Sequence, residues 1–228
     1  MESEKSYAAG PLRRDDDSRW FKDFFKVITD LEILQDWRPT LVSLKEAFVA
    51  FHRDILLTHH YHAPDKDSKD EVEPQLVGRI SFAHEGPILE ALNLALNPME
   101  THYVDRSFSL TGAGITLITP GTGYYRVSKS LLRMTTTRLL DQGVGLDMVA
   151  LAKHPLHQSP IFSFKGYEPD ARPDLARSGW RSNDPLWGGD DEGVDIPGKE
   201  KTTFWWEPFW VAMSFWDLQL DQPFRQDR

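Results

Sequence analysis

Tyr125 and Lys129 stand four residues apart in Tyr125-Arg126-Val127-Ser128-Lys129. At that spacing a lysine can lower a tyrosine's pKa so that the phenol passes a proton during hydride transfer. Such chemistry also requires a glycine-rich strand-to-helix turn to seat a dinucleotide pyrophosphate. Residues 1–110 contain neither Gly-x-Gly-x-x-Gly nor Gly-x-x-x-Gly-x-Gly. Asp105-Arg106-Ser107-Phe108-Ser109 offers the hard oxygens of an Asp-x-Ser-x-Ser magnesium site. That site belongs after a buried strand, whereas here the motif precedes the apolar run at Ile115. His52, His59, His60 and His62 cluster without a His-Glu-x-x-His pattern, and His154 and His157 flank Pro155-Leu156. Hydrogen-bonded or solvated histidines fit both groups better than metal ligands. Thr119-Pro120-Gly121-Thr122-Gly123 resembles a phosphate cradle but lacks the lysine and serine that should follow, so Gly121 and Gly123 read as backbone-geometry residues. No Gly-x-Ser-x-Gly surrounds Ser128. The residues therefore assign no catalytic group, no cofactor and no metal. An oxidoreductase using Tyr125 and Lys129 is the alternative reading.

These side chains ride on a strand–loop–helix–strand unit. Ile115–Thr119 is β-rich and ends at Pro120-Gly121, and Val127–Gln142 carries apolar residues at Val127, Leu131 and Met134 and at Leu132, Leu139 and Leu140. Gly143 stands where a C-cap belongs, before a second strand over Leu146–Leu151 that includes Asp147. A crossover of this kind joins parallel strands, which predicts an α/β fold. Upstream, Trp20, Phe21, Phe24, Phe25, Val27 and Ile28 suggest a helix capped by Ser18. A second helix is expected from Asp36 through Leu41, Leu44, Phe48 and Phe51, with Pro39 in its first turn, then a short strand at Asp54–Thr58. Pro87–Leu96 reads as a helix with Ile88, Leu89, Leu92 and Leu96 inward, and Thr202–Trp216 as one final strand.

Residues 1–18 read as a polar tail, and residues 19–228 as a single α/β domain with loop insertions near 63–75 and 166–201, the latter dense in proline and glycine. At 228 residues the chain can bury a sizeable core. Its formal charge of -9 disfavours a nucleic-acid partner. Cysteine is absent, which removes disulfides, thiolate sites and a cysteine nucleophile. No apolar run approaches the roughly 20 residues of a membrane span. Of eight tryptophans, five lie between Trp187 and Trp216. Trp205, Trp206 and Trp210 are the candidates for partner contact, since such side chains dominate interfaces.

The run from Ile115 to Phe164 resembles the vacuolar membrane-associated IML family, the large DEP-domain subunit of the fungal SEACIT complex, called GATOR in animals. Its Ile-Thr-Pro-Gly block, Gly143-Val144-Gly145-Leu146-Asp147 and Pro155-Leu156-His157 carry the likeness, which extends to Arg19–Val27, to His102–Arg106 and to Phe209–Trp216. The resemblance implies a three-layer, largely parallel sheet flanked by helices, Rossmann-like or von Willebrand A-like. Asp105, Arg106, Thr119, Pro120, Gly121, Gly123, Gly143, Asp147, Pro155, Leu156 and His157 would be its structural motif residues. It also implies a non-catalytic scaffold that binds nitrogen-permease-regulator-like subunits. Their complex accelerates GTP hydrolysis by Rag-type GTPases and restrains TOR signalling when amino acids are scarce. The expected place is the cytoplasmic face of the vacuole or lysosome, or the cytoplasm, with membrane association supplied by partners or by regions outside this stretch. Family members are several times longer.

Overall fold

The computed structural model describes residues 8–15, 17–29, 34–60, 80–100, 114–121, 123–152, 161–168, 184–188, 198 and 200–216. Two compact units divide the chain, Met1–Ser81 and Phe82–Arg228, where the sequence suggests one domain from residue 19.

The first unit opens with four two-residue strands, β1 (Ala8–Ala9), β2 (Arg13–Arg14), β3 (Trp20–Phe21) and β4 (Phe24–Phe25). β2 pairs antiparallel with β3, and β1 with β4. This corrects the helix expected over Trp20–Ile28 and gives strand residues to the stretch read as a tail. Ser18 is a turn residue at φ 62° instead of a cap, and the Asp15 carboxylate accepts from the Arg19 backbone at 2.8 Å and from its Nε at 2.9 Å. Arg13 pairs with Asp23, and the Arg14 guanidinium lies 4.4 Å from the centre of the Trp20 ring. Trp20, Phe21, Phe24, Phe25 and Ile28 satisfy helical spacing, but Arg13 and Arg14, opposite Phe21 and Trp20 across the β2–β3 pair, decide for strands.

Helix α1 runs Arg38–His60 with Pro39 in its first turn. Asp36 accepts the Arg38 backbone N–H at 3.0 Å, which satisfies an orphan donor of the helix start. The strand expected at Asp54–Thr58 is instead the continuation of this helix, because once nucleated it gains one bond per added residue.

In the second unit, α2 (Ile88–Leu96) buries the four residues expected, Ile88, Leu89, Leu92 and Leu96. Strand β5 (Ile115–Thr119) leads into a short strand β6 (Tyr125–Arg126), helix α3 (Lys129–Gln142) and β7 (Leu146–Ala150). The buried face of α3 is Leu132, Thr135, Thr136 and Leu139, while Met134 and Leu140 are exposed. The threonines are admitted because each is bonded: the Thr135 hydroxyl donates to the Leu131 carbonyl at 2.8 Å, and Thr136 accepts from Trp210 Nε1 at 3.2 Å. Gly143 closes α3 at φ 64°, its N–H bonding the Leu140 carbonyl while the Val144 N–H reaches Leu139 at 3.1 Å, a Schellman ending.

Strand β8 (Phe162–Gly166), which the sequence reading passed over, is almost wholly buried. The single final strand is corrected to two, β9 (Thr202–Trp206) and β10 (Val211–Phe215), with Pro208 between them. β10, β7 and β5 form one parallel sheet in register Val211–Leu146–Ile115. β6 pairs parallel with β8, and β8 antiparallel with β9. Parallel pairing thus dominates an α/β unit, distributed over two three-stranded sheets. Its core joins α2, α3 and both sheets through Leu89, Leu132, Met148, Phe162, Phe164 and Trp210.

Candidate functional site

Strand β6 places Tyr125, and the first turn of α3 places Lys129, inside the protein. Tyr125 is 5% exposed, and its hydroxyl lies 3.3 Å from Thr119 Oγ1. Burial pushes its phenol up from the ordinary value, against a smaller downward pull from the Thr119 bond. Lys129 is buried and donates to the Gly188 carbonyl at 2.8 Å. A proton-passing tyrosine needs the opposite shift and an open hydroxyl. The dehydrogenase-like reading of Tyr125 and Lys129 is therefore corrected: both are core residues, one closing the β5–β6 loop and the other anchoring the 184–188 turn. Arg133 adds to that anchor through two bonds to the Leu186 carbonyl, at 3.1 and 2.9 Å.

At the cradle-like loop, Gly121 has φ 96° and its N–H approaches Thr119 Oγ1 at 3.3 Å, so a glycine is needed there. Gly123 is not among the positive-φ residues, which corrects its expected role. Asp147 is exposed on β7, and Pro120 is exposed at the loop. Asp105, Arg106, Pro155, Leu156, His157, His62 and the adhesion-type motif lie outside the described residues. Among the described residues no group of three acidic or histidine side chains is placed to hold a metal ion.

The tryptophans separate. Trp210 is 8% exposed within the core, and Trp206 is half-buried with its ring 6.4 Å from that of Phe209. Trp210 is thus corrected from surface contact to core. Trp205 is 57% exposed. On β9 it stands opposite Ser163 of β8, which in turn pairs with Arg126 of β6.

Around Trp205 the structure assembles a surface strip. Its ring meets Tyr124 edge-on at 5.3 Å, Tyr124 stacks on His84 at 4.9 Å, and His84 stacks on Phe82 at 5.7 Å. Phe82, at 58% exposure, closes the far end. His84 sits on the 3₁₀ turn Ala83–Glu85, which Glu85 fastens to Arg126 of β6 through an ion pair of 3.6 Å. The strip is an aromatic row exposed at Phe82 and Trp205 and half-buried at His84 and Tyr124, with polar rims at Glu85 and Arg126, the anatomy of a protein-contact patch. Sequence reasoning found Trp205 and missed Tyr124, His84 and Phe82. The available signal was the adjacent pair Tyr124-Tyr125, whose side chains part at the start of β6, Tyr125 into the core and Tyr124, half-buried, toward the strip.

The family model for the vWA-like domain of vacuolar membrane-associated protein Iml1 matches residues 1–164. Phe82, His84 and Tyr124 fall inside that match and Trp205 beyond it. Vacuolar membrane-associated protein iml1 of Schizosaccharomyces pombe is 37% identical over 145 residues, 64% of this chain and 9% of the relative. The GATOR complex protein Iml1 of Drosophila melanogaster is 35% identical over 153 residues, 67% of this chain and 9% of the relative. Vacuolar membrane-associated protein IML1 of Coccidioides immitis is 26% identical over an alignment of 238 residues that takes in 90% of this chain and 13% of the relative. The chain thus spans less than a sixth of the length of each of these relatives.

Proposed function

The chain belongs to the family of the vWA-like domain of vacuolar membrane-associated protein Iml1, and from that premise we propose that it is a non-catalytic docking domain within a GATOR-type complex. The aromatic strip Phe82–His84–Tyr124–Trp205 is its contact surface. The observation that carries this reading is the exposure of Trp205 at the head of a fixed aromatic row, where a core tryptophan would have no reason to be. A rigid aromatic side chain binds at low entropic cost, because its partners already hold its rotamer. The partners we propose are the nitrogen-permease-regulator-like subunits, which this domain would hold in position while they promote GTP hydrolysis by Rag-type GTPases. The outcome would be restraint of TOR signalling when amino acids are scarce. Relatives named as vacuolar membrane-associated, and one named as a GATOR complex protein, support the complex and its place at the cytoplasmic face of the vacuole membrane. Among the described residues no helix is long and apolar enough to cross a membrane, so membrane association would come through partners or regions outside this chain.

The test is capture of the nitrogen-permease-regulator-like pair by the 228-residue chain. Trp205→Ala combined with Tyr124→Ala should weaken capture at least about thirtyfold, the range of a hot-spot pair, while the variant still unfolds in one cooperative transition only about a few degrees below the parent. A folded parent that captures nothing, or a variant that captures as well as the parent, would overturn the reading.

A further inference from the structure

Helix α1, in the first unit, carries a separate apolar surface that the aromatic strip does not use. Trp37, Leu41, Leu44, Phe48, Phe51 and Ile55 succeed one another at intervals of four, three, four, three and four residues, the a/d spacing of a coiled-coil seam. Trp37 joins the seam although it precedes the helix, because its carbonyl accepts the Leu41 N–H at 2.9 Å. The C-terminal part of the seam is used within the protein, Ile55 being buried and Phe51 half-buried. The N-terminal part is open: Trp37 is 60% exposed, Leu41 55%, Leu44 38% and Phe48 72%.

Arg38, Lys45 and His52 recur every seventh residue beside this seam, at the e position of the same heptad, and all three are exposed. Arg38 is held by Asp36 at 2.9 Å at the helix start. Val42 and Val49, at the b position, lie beyond that row and are 59% and 81% exposed. We propose that the open seam of α1 docks an amphipathic helix of a partner chain whose own a/d seam is bordered by glutamates or aspartates.

Two heptads of seam spacing select a helix over a strand or loop as the occupant. The cations of the e row, Lys45 and the Asp36-paired Arg38, select an acidic border. A second copy of this chain would bring those e rows together in an antiparallel pair, and in a parallel pair it would face them with Thr40 and Ala47 at g, which offer no carboxylate. A lipid surface fits less well. Helices that lie on membranes carry their cations at the borders of the apolar arc, from which they reach the headgroups, whereas here Arg38 and Lys45 run inside an arc that continues to Val42 and Val49.

The probe is a synthetic peptide of about three heptads with leucine at a and d and glutamate at e and g, whose own charges keep it from self-pairing. A matched peptide carries lysine at e and g. Fluorescence anisotropy with the full chain should show binding of the glutamate peptide and at least about tenfold weaker binding of the lysine peptide. Phe48→Asp should abolish binding, and Lys45→Glu, at a site too exposed to affect folding, should narrow or reverse the preference between the peptides. Failure of the glutamate peptide to bind, equal binding of both peptides, or an unchanged preference in Lys45→Glu overturns the proposal. So does Phe48-dependent self-association in sedimentation, which would name a second copy, or Phe48-dependent capture by phosphatidylserine vesicles, which would name a lipid surface.

Discussion

Tyr125 keeps its hydroxyl against Thr119, and the pH dependence of stability should report it. Burial raises the phenol's folded-state pKa above the ordinary 10.0, so the folded form holds its proton at a pH where the unfolded form has lost it. The stabilisation from the neutral phenol is complete below that ordinary value and is lost as pH climbs from there through the folded-state value. Tyr125→Phe cannot ionise and should therefore lose less stability than the parent across that window, as urea midpoints taken on either side of pH 10.0 would show. The two kinds of tryptophan offer a sharper contrast. Trp210→Ala removes a core ring and its bond to Thr136, and should cost about 3–5 kcal/mol in urea unfolding. Trp205→Ala should cost below about 1 kcal/mol, since its ring is mostly in water. The residue scale is also where sequence reading was weakest. Composition located a tryptophan cluster, but which of its members face water depended on the pairing of Trp205 with Ser163, a register set by residues about forty positions away.

Elements were legible where one local signal dominated. The stripe of α2 named all four of its buried residues, and Gly143 marked the end of α3. An added Cβ at Gly143 would meet nothing within 4 Å, so Gly143→Ala should lose about 1–2 kcal/mol from its left-handed backbone alone. Gly143→Asn, which tolerates that conformation better, should recover part of it, and denaturant midpoints separate the two. Elements were illegible where two signals competed. The first hairpin meets helical spacing, the end of α1 carries β-type residues, and Pro208 splits an otherwise plausible strand by interrupting its donors. The α2–α3 junction escaped reading because it is polar. Arg138 donates to Asn93 Oδ1 at 2.6 Å, to Asn97 Oδ1 at 2.9 Å and to Glu100 Oε1 at 2.5 Å, while Asn93 donates to Thr135 at 2.7 Å. Arg138→Ala strands several of these groups and should cost about 1–3 kcal/mol. Arg138→Lys should restore little, for an ammonium lacks the planar fork that spans three partners.

For the whole molecule, net charge and apolar surface make opposing demands, and salt separates them. A formal charge of -9 repels acidic partners at long range. A partner held through the aromatic strip gains its affinity from desolvated rings, for which screening matters little. An acidic helix held on α1 must approach a negative chain and rely on Arg38 and Lys45 at the e positions once there. Raising salt weakens that local attraction and relieves the long-range repulsion together. The local pairs act within a few ångströms, whereas the repulsion spans distances beyond the roughly 8 Å Debye length of physiological salt and is already damped there. From about 0.15 M upward, added salt should therefore weaken the acidic helix on α1 and leave docking at the strip nearly constant. Titrating sodium chloride against anisotropy for the acidic peptide, and against capture of the nitrogen-permease-regulator-like pair, checks both in one series. Parallel slopes would mean that one surface serves both partners, and the division of labour between α1 and the strip would be wrong.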